Sequence, residues 1–213
     1  MTKTMTSKSG IKAIIDSPYF IWLLLTIPAI PMISDALSGT DLHRLLHPTG
    51  EFAARFLILS LMLTPLKLLF PKSGFVFWLM RRRRYIGVAA FGYALLHTLC
   101  YVVDLGTLSK LVADLSKLGI IIGWLAFIIF IPLALTSNDL SIRKLGPRQW
   151  KSLQRFAYIA AMATLVHWLL ESHHAGAALV NFAPLILLEL YRLWHTMRPS
   201  HGHPSRRPSA TLS

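Results

Sequence analysis

Two histidines, His97 and His167, stand inside otherwise apolar stretches: residues 85–97 read Tyr-Ile-Gly-Val-Ala-Ala-Phe-Gly-Tyr-Ala-Leu-Leu-His, and 153–167 read Leu-Gln-Arg-Phe-Ala-Tyr-Ile-Ala-Ala-Met-Ala-Thr-Leu-Val-His. A polar side chain stranded in hydrocarbon costs several kcal/mol without a partner, so an ionisable residue there is a functional candidate. Two imidazoles at one depth on neighbouring helices suit a noncovalent haem, with iron between two nitrogens and the apolar macrocycle lying in the bundle. The competing reading is that the histidines only hydrogen-bond across helices; finding two matched residues favours haem. One and two turns inward from His97 are Ala94 and Ala90, and from His167 Ala163 and Ala160, small enough for a flat ring to approach both helices. Weaker candidates lie nearer the chain's second apolar block. His47, in His47-Pro48-Thr49-Gly50-Glu51, is a third ligand or a loop residue; Arg55 neutralises a haem propionate or pairs with Glu51 at i, i+4. Glu171 moves protons, meets a quinone, or faces water.

The elements that must carry these residues follow from composition. Of 213 residues, 54% are hydrophobic and 15% charged, far from the roughly one-quarter charged of a soluble domain. The apolar residues form six blocks, at about 18–36, 52–70, 85–103, 118–136, 153–171 and 177–195, each near the roughly 20 residues that cross a bilayer. The expected fold is an all-α, polytopic membrane helical bundle. The first block follows Lys3, Lys8 and Lys12 but offers no small-x-small cleavage site around Ile33-Ser34-Asp35, so it reads as a retained helix. Residues 1–17 are then an N-terminal segment, 18–195 a six-helix haem-binding domain, and 196–213, rich in Pro, Ser and His, a disordered tail.

Charge sets the orientation. With the N-terminus inside, the cytoplasmic segments hold Lys3, Lys8, Lys12, Lys72, Arg81 to Arg84, Arg143, Lys144, Arg148, Lys151, Arg198, Arg206 and Arg207, and the opposite side only Arg44, Lys110 and Lys117. Positive residues stay in the cytoplasm, so both termini are expected there, and spans three and five run outward together. His97 is 12 residues past Tyr85 and His167 is 14 past Leu153, which puts each about 18–21 Å from the inner surface. The net charge of +13 sits between apolar blocks, which favours membrane lipid and excludes nucleic acid as partner. A single cysteine, Cys100, excludes an internal disulfide, covalent c-type haem attachment and a cysteine-held iron–sulfur cluster. No Gly-x-Gly-x-x-Gly or Walker sequence encodes a nucleotide fold. Gly119-x-x-x-Gly123 in span four reads as a close-packing device, and His173, His174, His195, His201 and His203 as solvated.

At these positions the sequence resembles the haem-binding membrane subunit of the bacterial periplasmic methionine sulfoxide reductase system, within the ferric-reductase-like transmembrane group. The resemblance covers about residues 44–195. It rests on Thr49-Gly50, Leu63-Thr64-Pro65-Leu66, Arg83-Arg84-Tyr85-Ile86-Gly87 leading to His97 and Tyr101, Thr136-Ser137-Asn138, Leu145-Gly146 with Trp150, and Tyr158 before His167-Trp168. It implies b-type haem with His97 and His167 as axial iron ligands, a flavin mononucleotide (FMN) in some members, a bacterial inner-membrane location, and electrons passed from the quinone pool to a periplasmic molybdopterin catalytic subunit. Gln154 departs from the pattern, because the family commonly has a histidine there; glutamine is a poor haem ligand, and a second, inner haem is in doubt.

The expected function is therefore an electron-transfer subunit, not the catalytic one, in which iron cycles between ferric and ferrous while the protein holds and insulates the haem. With no nucleotide fold, electrons must come from quinol or a separate flavoprotein. Two alternatives stay open: a ferric or cupric reductase acting at the outer face, and a non-haem transporter or proton channel lined by the two histidines.

Overall fold

The computed structural model describes residues 7–172 and 175–198. Most of the tail expected at 196–213, the first six residues and the His173-His174 pair lie outside the described residues. The rest is helical: α1 (Ser7–Asp16), α2 (Pro18–Thr26), α3 (Ala29–Leu37), α4 (Leu42–Leu69), α5 (Gly74–Arg81), α6 (Arg83–Leu105), α7 (Leu108–Asp114), α8 (Leu118–Leu135), α9 (Asp139–Gln154), α10 (Phe156–Glu171) and α11 (Ala175–Met197). Several helices start where a short polar side chain captures a free backbone N–H. Asp41 accepts from His43 N at 3.1 Å, and Asn138 from Ser141 N at 2.8 Å.

Five stretches are long and apolar enough to cross a membrane: α4, α6, α8, the run through α9 and α10, and α11; α2 and α3 make a sixth if taken as one span. They meet at 50°, so the first span is broken, where the sequence suggested one continuous helix. Pro28 and Pro31 explain the break, since each lacks a backbone N–H and its ring crowds the carbonyl four residues back. A second kink falls inside α9, where Gly146 takes φ 76° and ψ 154°. Pro147 pushes the preceding residue out of the helical region, and glycine alone tolerates that φ readily.

The spans pack in two tight pairs, α4 with α6 and α8 with α10, while α11 leans on α4. Extended packing between α6 and α10 is absent, so the two helices that carry His97 and His167 face each other across the seam between the pairs and are not direct neighbours. A core of Ala54, Leu57, Leu61, Phe130, Trp168 and Phe182 closes that seam at mid-height. Large apolar side chains such as Leu125, Ile128, Val180 and Leu187 point outward, as expected where lipid is the solvent. The broken first span is pinned by Tyr93, whose hydroxyl donates to Leu25 O at 2.9 Å.

The arginine run, read from sequence as a topology signal, is wired into the fold one residue at a time. Arg82 is buried; it donates to Asp16 at 3.0 Å, to Ile15 O and to Trp78 O, and lies 4.0 Å over the Trp78 ring. Arg83 Nε donates to Ser60 O at 2.8 Å, and Arg84 pairs with Asp139 at 2.6 Å. These contacts tie α1, α4 and α9 to the start of α6.

Candidate functional site

Across the seam the His97 and His167 rings stand 6.2 Å apart centre to centre, with their planes at 75°. Each ring is oriented by a main-chain oxygen. His97 Nδ1 lies 2.9 Å from Leu46 O on α4, and His167 Nδ1 lies 2.8 Å from Gly119 O on α8. A carbonyl only accepts, so both Nδ1 atoms carry the proton and both Nε2 atoms keep a free lone pair. Thr49 reinforces this: its hydroxyl donates to Leu45 O at 2.6 Å, leaving its oxygen to face His97 Nδ1 at 3.3 Å.

Glycines make room for both rings. A Cβ on Gly123 would stand 2.7 Å from His167 Nδ1, and one on Gly50 would stand 3.1 Å from His97 Nδ1. The Gly119-x-x-x-Gly123 pattern does allow α8 and α10 to pack closely, and it also does something narrower: Gly119 lends its carbonyl to His167 and Gly123 clears the ring's face. A side chain on Gly119 would run into the Glu171 carboxylate. Glu171 itself is exposed, one turn C-terminal to His167 on α10.

This donor set fits a haem iron. Two imidazoles on one metal, with bonds of about 2 Å and about 1.1 Å from ring centre to nitrogen, stand about 6 Å apart, close to the spacing found. The Nδ1–H to carbonyl bond is the usual outer-shell partner of a metal-binding histidine. Of the four alanines expected to admit a flat ring, Ala90, Ala160 and Ala163 are buried against other helices and only Ala94 is half-open. Among the described residues, no cluster of three or more His, Cys, Asp or Glu is arranged to hold a bare metal ion.

The weaker candidates gather elsewhere on α4. Arg55 Nη2 pairs with Glu51 at 2.8 Å, its Nε donates to Asn181 Oδ1 at 3.1 Å, and it lies over the Phe52 ring. His47, within α4 and mostly exposed, puts Nε2 3.4 Å from the same glutamate. Both therefore spend their polar contacts on Glu51 and Asn181. At the C-terminal end of α6, Tyr101 donates to Asp114 at 3.1 Å, and Asp114 pairs with Lys117 at 2.8 Å. The Lys117 hydrogen bond holds the Asp114 carboxyl below the usual carboxylate range, and the same bond raises Lys117.

At the opposite end, Gln154 Nε2 donates to Leu133 O at 3.1 Å and lies 3.3 Å from Thr136 Oγ1. Its amide is committed to the end of α8, and among the described residues no histidine or cysteine lines the cavity beside it. A second haem therefore does not fit there through a histidine pair. The sequence points to the two histidines and reads Gly119 and Gly123 as a packing device only, without their role toward His167; Leu46 and Asn181 carry no signal there beyond the nearby Thr49-Gly50 pair.

Over residues 49–165 the chain matches a family described as ferric reductase like transmembrane component. It is 36% identical over 209 residues, 92% of this chain and 91% of the relative, to a Brucella anthropi protein named protein-methionine-sulfoxide reductase heme-binding subunit MsrQ. A Brucella ovis protein of the same name is 38% identical over 189 residues, 84% of this chain and 82% of its own. No solved structure matches the chain.

Proposed function

Because the chain belongs to the ferric-reductase-like transmembrane family, we propose that it is the haem-binding electron-transfer subunit of a protein-methionine-sulfoxide reductase system. It is a multi-pass protein of the bacterial inner membrane. The observation that carries the reading is the facing histidine pair, 6.2 Å between ring centres with both Nδ1 atoms tied to carbonyls. His97 and His167 would hold the iron of a b-type haem. Bound there, haem supplies a one-electron ferric/ferrous couple. The protein's part is to present two Nε2 lone pairs in directions fixed by the Nδ1–H bonds and to exclude water with the packed helix pairs. Arg55, held by Glu51 and Asn181, would meet a haem propionate, with His47 against the same glutamate.

Electrons enter from the quinone pool or a flavin, FMN included, and leave to a periplasmic molybdopterin catalytic subunit that repairs oxidised methionines. Both termini lie in the cytoplasm, on either side of the 18–195 haem-binding transmembrane domain.

A reduced-minus-oxidised spectrum of the detergent-purified protein, with pyridine-haem quantitation, tests the reading. One b-type haem per chain is expected, with its signal lost in His97→Ala and in His167→Ala. An unmutated protein that stays colourless when expressed with ample haem refutes it and favours a transporter. Coupled reduction of a methionine sulfoxide reductase subunit separates this role from ferric or cupric reduction. A reporter after Ser213 should read cytoplasmic and one between Glu171 and Ala177 periplasmic.

A further inference from the structure

Beside Gln154 a cavity of about 710 Å³ opens among α4, α6, α8, α9, α10 and α11. Its lining divides by chemistry. Arg83, Arg84, Lys151, Arg155 and Arg192 contribute five cations and, among the described residues, no carboxylate lines it, while Leu57, Phe130, Leu133, Ala134 and Ala157 form an apolar wall. Two of the cations are answered from outside the lining: Arg84 by Asp139 and Arg192 by Glu189. Arg83, Lys151 and Arg155 have no carboxylate partner among the described residues.

We propose that this crevice is a binding site for an acidic phospholipid, its phosphate held by Arg83, Lys151 and Arg155 and an acyl chain lying along Leu57, Phe130 and Ala157. Three like charges around one cavity repel one another, and an anion placed among them removes that cost with charge-assisted hydrogen bonds. Basic pockets between membrane helices are suited to anionic headgroups.

The wall decides what the anion is attached to. Ser60 Oγ donates to Leu57 O, Ser137 Oγ to Leu133 O, Trp150 Nε1 to Thr136 O, and Gln154 Nε2 to Leu133 O. The polar groups nearest the wall are thus spent on backbone carbonyls, Arg83 Nε on Ser60 O among them, and the donors left over among the described residues include the other N–H groups of Arg83, Lys151 and Arg155. A heterocycle such as a flavin would bury several ring nitrogens and carbonyls against that wall with few partners, at a cost for each. An acyl chain leaves nothing unpaired.

The test uses the full chain, purified from its own membranes and exchanged exhaustively into mild detergent. Lipid extraction and mass spectrometry should find acidic phospholipid retained at about one per chain. In Lys151→Gln/Arg155→Gln its retention should fall about 30-fold, as two cations near a headgroup imply. The exposed pair Arg143→Gln/Arg148→Gln, on the same basic segment but off the cavity lining, should retain it. Independently of any variant, dioleoylphosphatidylglycerol added to delipidated protein should raise Tm and dioleoylphosphatidylcholine should not. Retention of lipids in their bulk membrane proportions, equal retention by the two double variants, stoichiometric flavin mononucleotide in place of lipid, or equal response to the two added lipids would each overturn the proposal. Should the first double variant fail to fold, the Tm comparison alone decides it.

Discussion

Adding one methyl group at Gly123 should reach the haem site without touching either histidine. A Cβ there would lie 2.7 Å from His167 Nδ1 and 2.8 Å from Cε1, against the 3.4 Å at which ordinary contact begins. The obstruction is a ring atom close to the α10 backbone, so neither helix nor ring can yield without moving the other. To clear the methyl group the imidazole must retreat by about 0.7 Å, the scale on which overpacking costs about 1–3 kcal/mol. That movement also stretches the 2.8 Å bond to Gly119 O, and loss of such an outer-shell partner costs about 10–100-fold in metal affinity. Gly123→Ala should therefore bind haem about 10–100-fold more weakly. Gly50→Ala, whose Cβ would stand 3.1 Å from His97 Nδ1, needs only a few tenths of an ångström and should lose less than about tenfold. Haem titration of apoprotein, followed at the Soret band, ranks the two. Gly123→Ala binding as tightly as the unmutated protein, or Gly50→Ala proving the worse, would refute the reasoning.

Gly119→Ala would drive its methyl group into the Glu171 carboxylate and to 3.1 Å from Leu170 Cβ; thermal unfolding should show a loss that Gly119→Ala/Glu171→Ala partly restores. Lys117→Met should alter the pH dependence of Tm in two windows. Asp114, held low by Lys117, contributes stability above its ordinary value of 3.8 that is lost as pH falls beneath it; Lys117, held high, contributes stability that is lost as pH rises above 10.5. Both slopes should flatten in the variant. Asp16→Ala leaves the buried Arg82 guanidinium without its carboxylate and should destabilise by about 2 kcal/mol, measured by chemical or thermal unfolding in detergent.

The spans were readable because lipid imposes a crude rule, about 20 apolar residues per crossing, and the expected ends of span four, 118 and 136, lie within a residue of Leu118–Leu135. The histidine pair was readable for a related reason: depth along parallel helices is arithmetic on residue number. What arithmetic on one helix cannot supply is azimuth and partner. Which face of α8 meets His167 depends on how two helices from distant parts of the chain rotate against each other, so the roles of Gly119 and Gly123 emerged only in three dimensions. Pro28, Pro31 and Pro147 were visible as helix breakers, but hydropathy averaged over a window passes across them. Arg55 shows the opposite case: its i, i+4 partner Glu51 was legible, whereas Asn181, on α11, was not.

The acceptors that aim the two imidazoles belong to the peptide backbone. Any residue placed at position 46 still brings a carbonyl, so that site is tolerant of chemical identity and demanding only of phase. An insertion or deletion in α4 between the Leu46 carbonyl and the membrane core would turn that oxygen by about 100° per residue, and no choice of side chain could turn it back. Sequence drift at position 46 is thus far less dangerous to this site than a change in the length of α4, and anyone transplanting the histidine pair into another bundle must copy helix register before copying that residue.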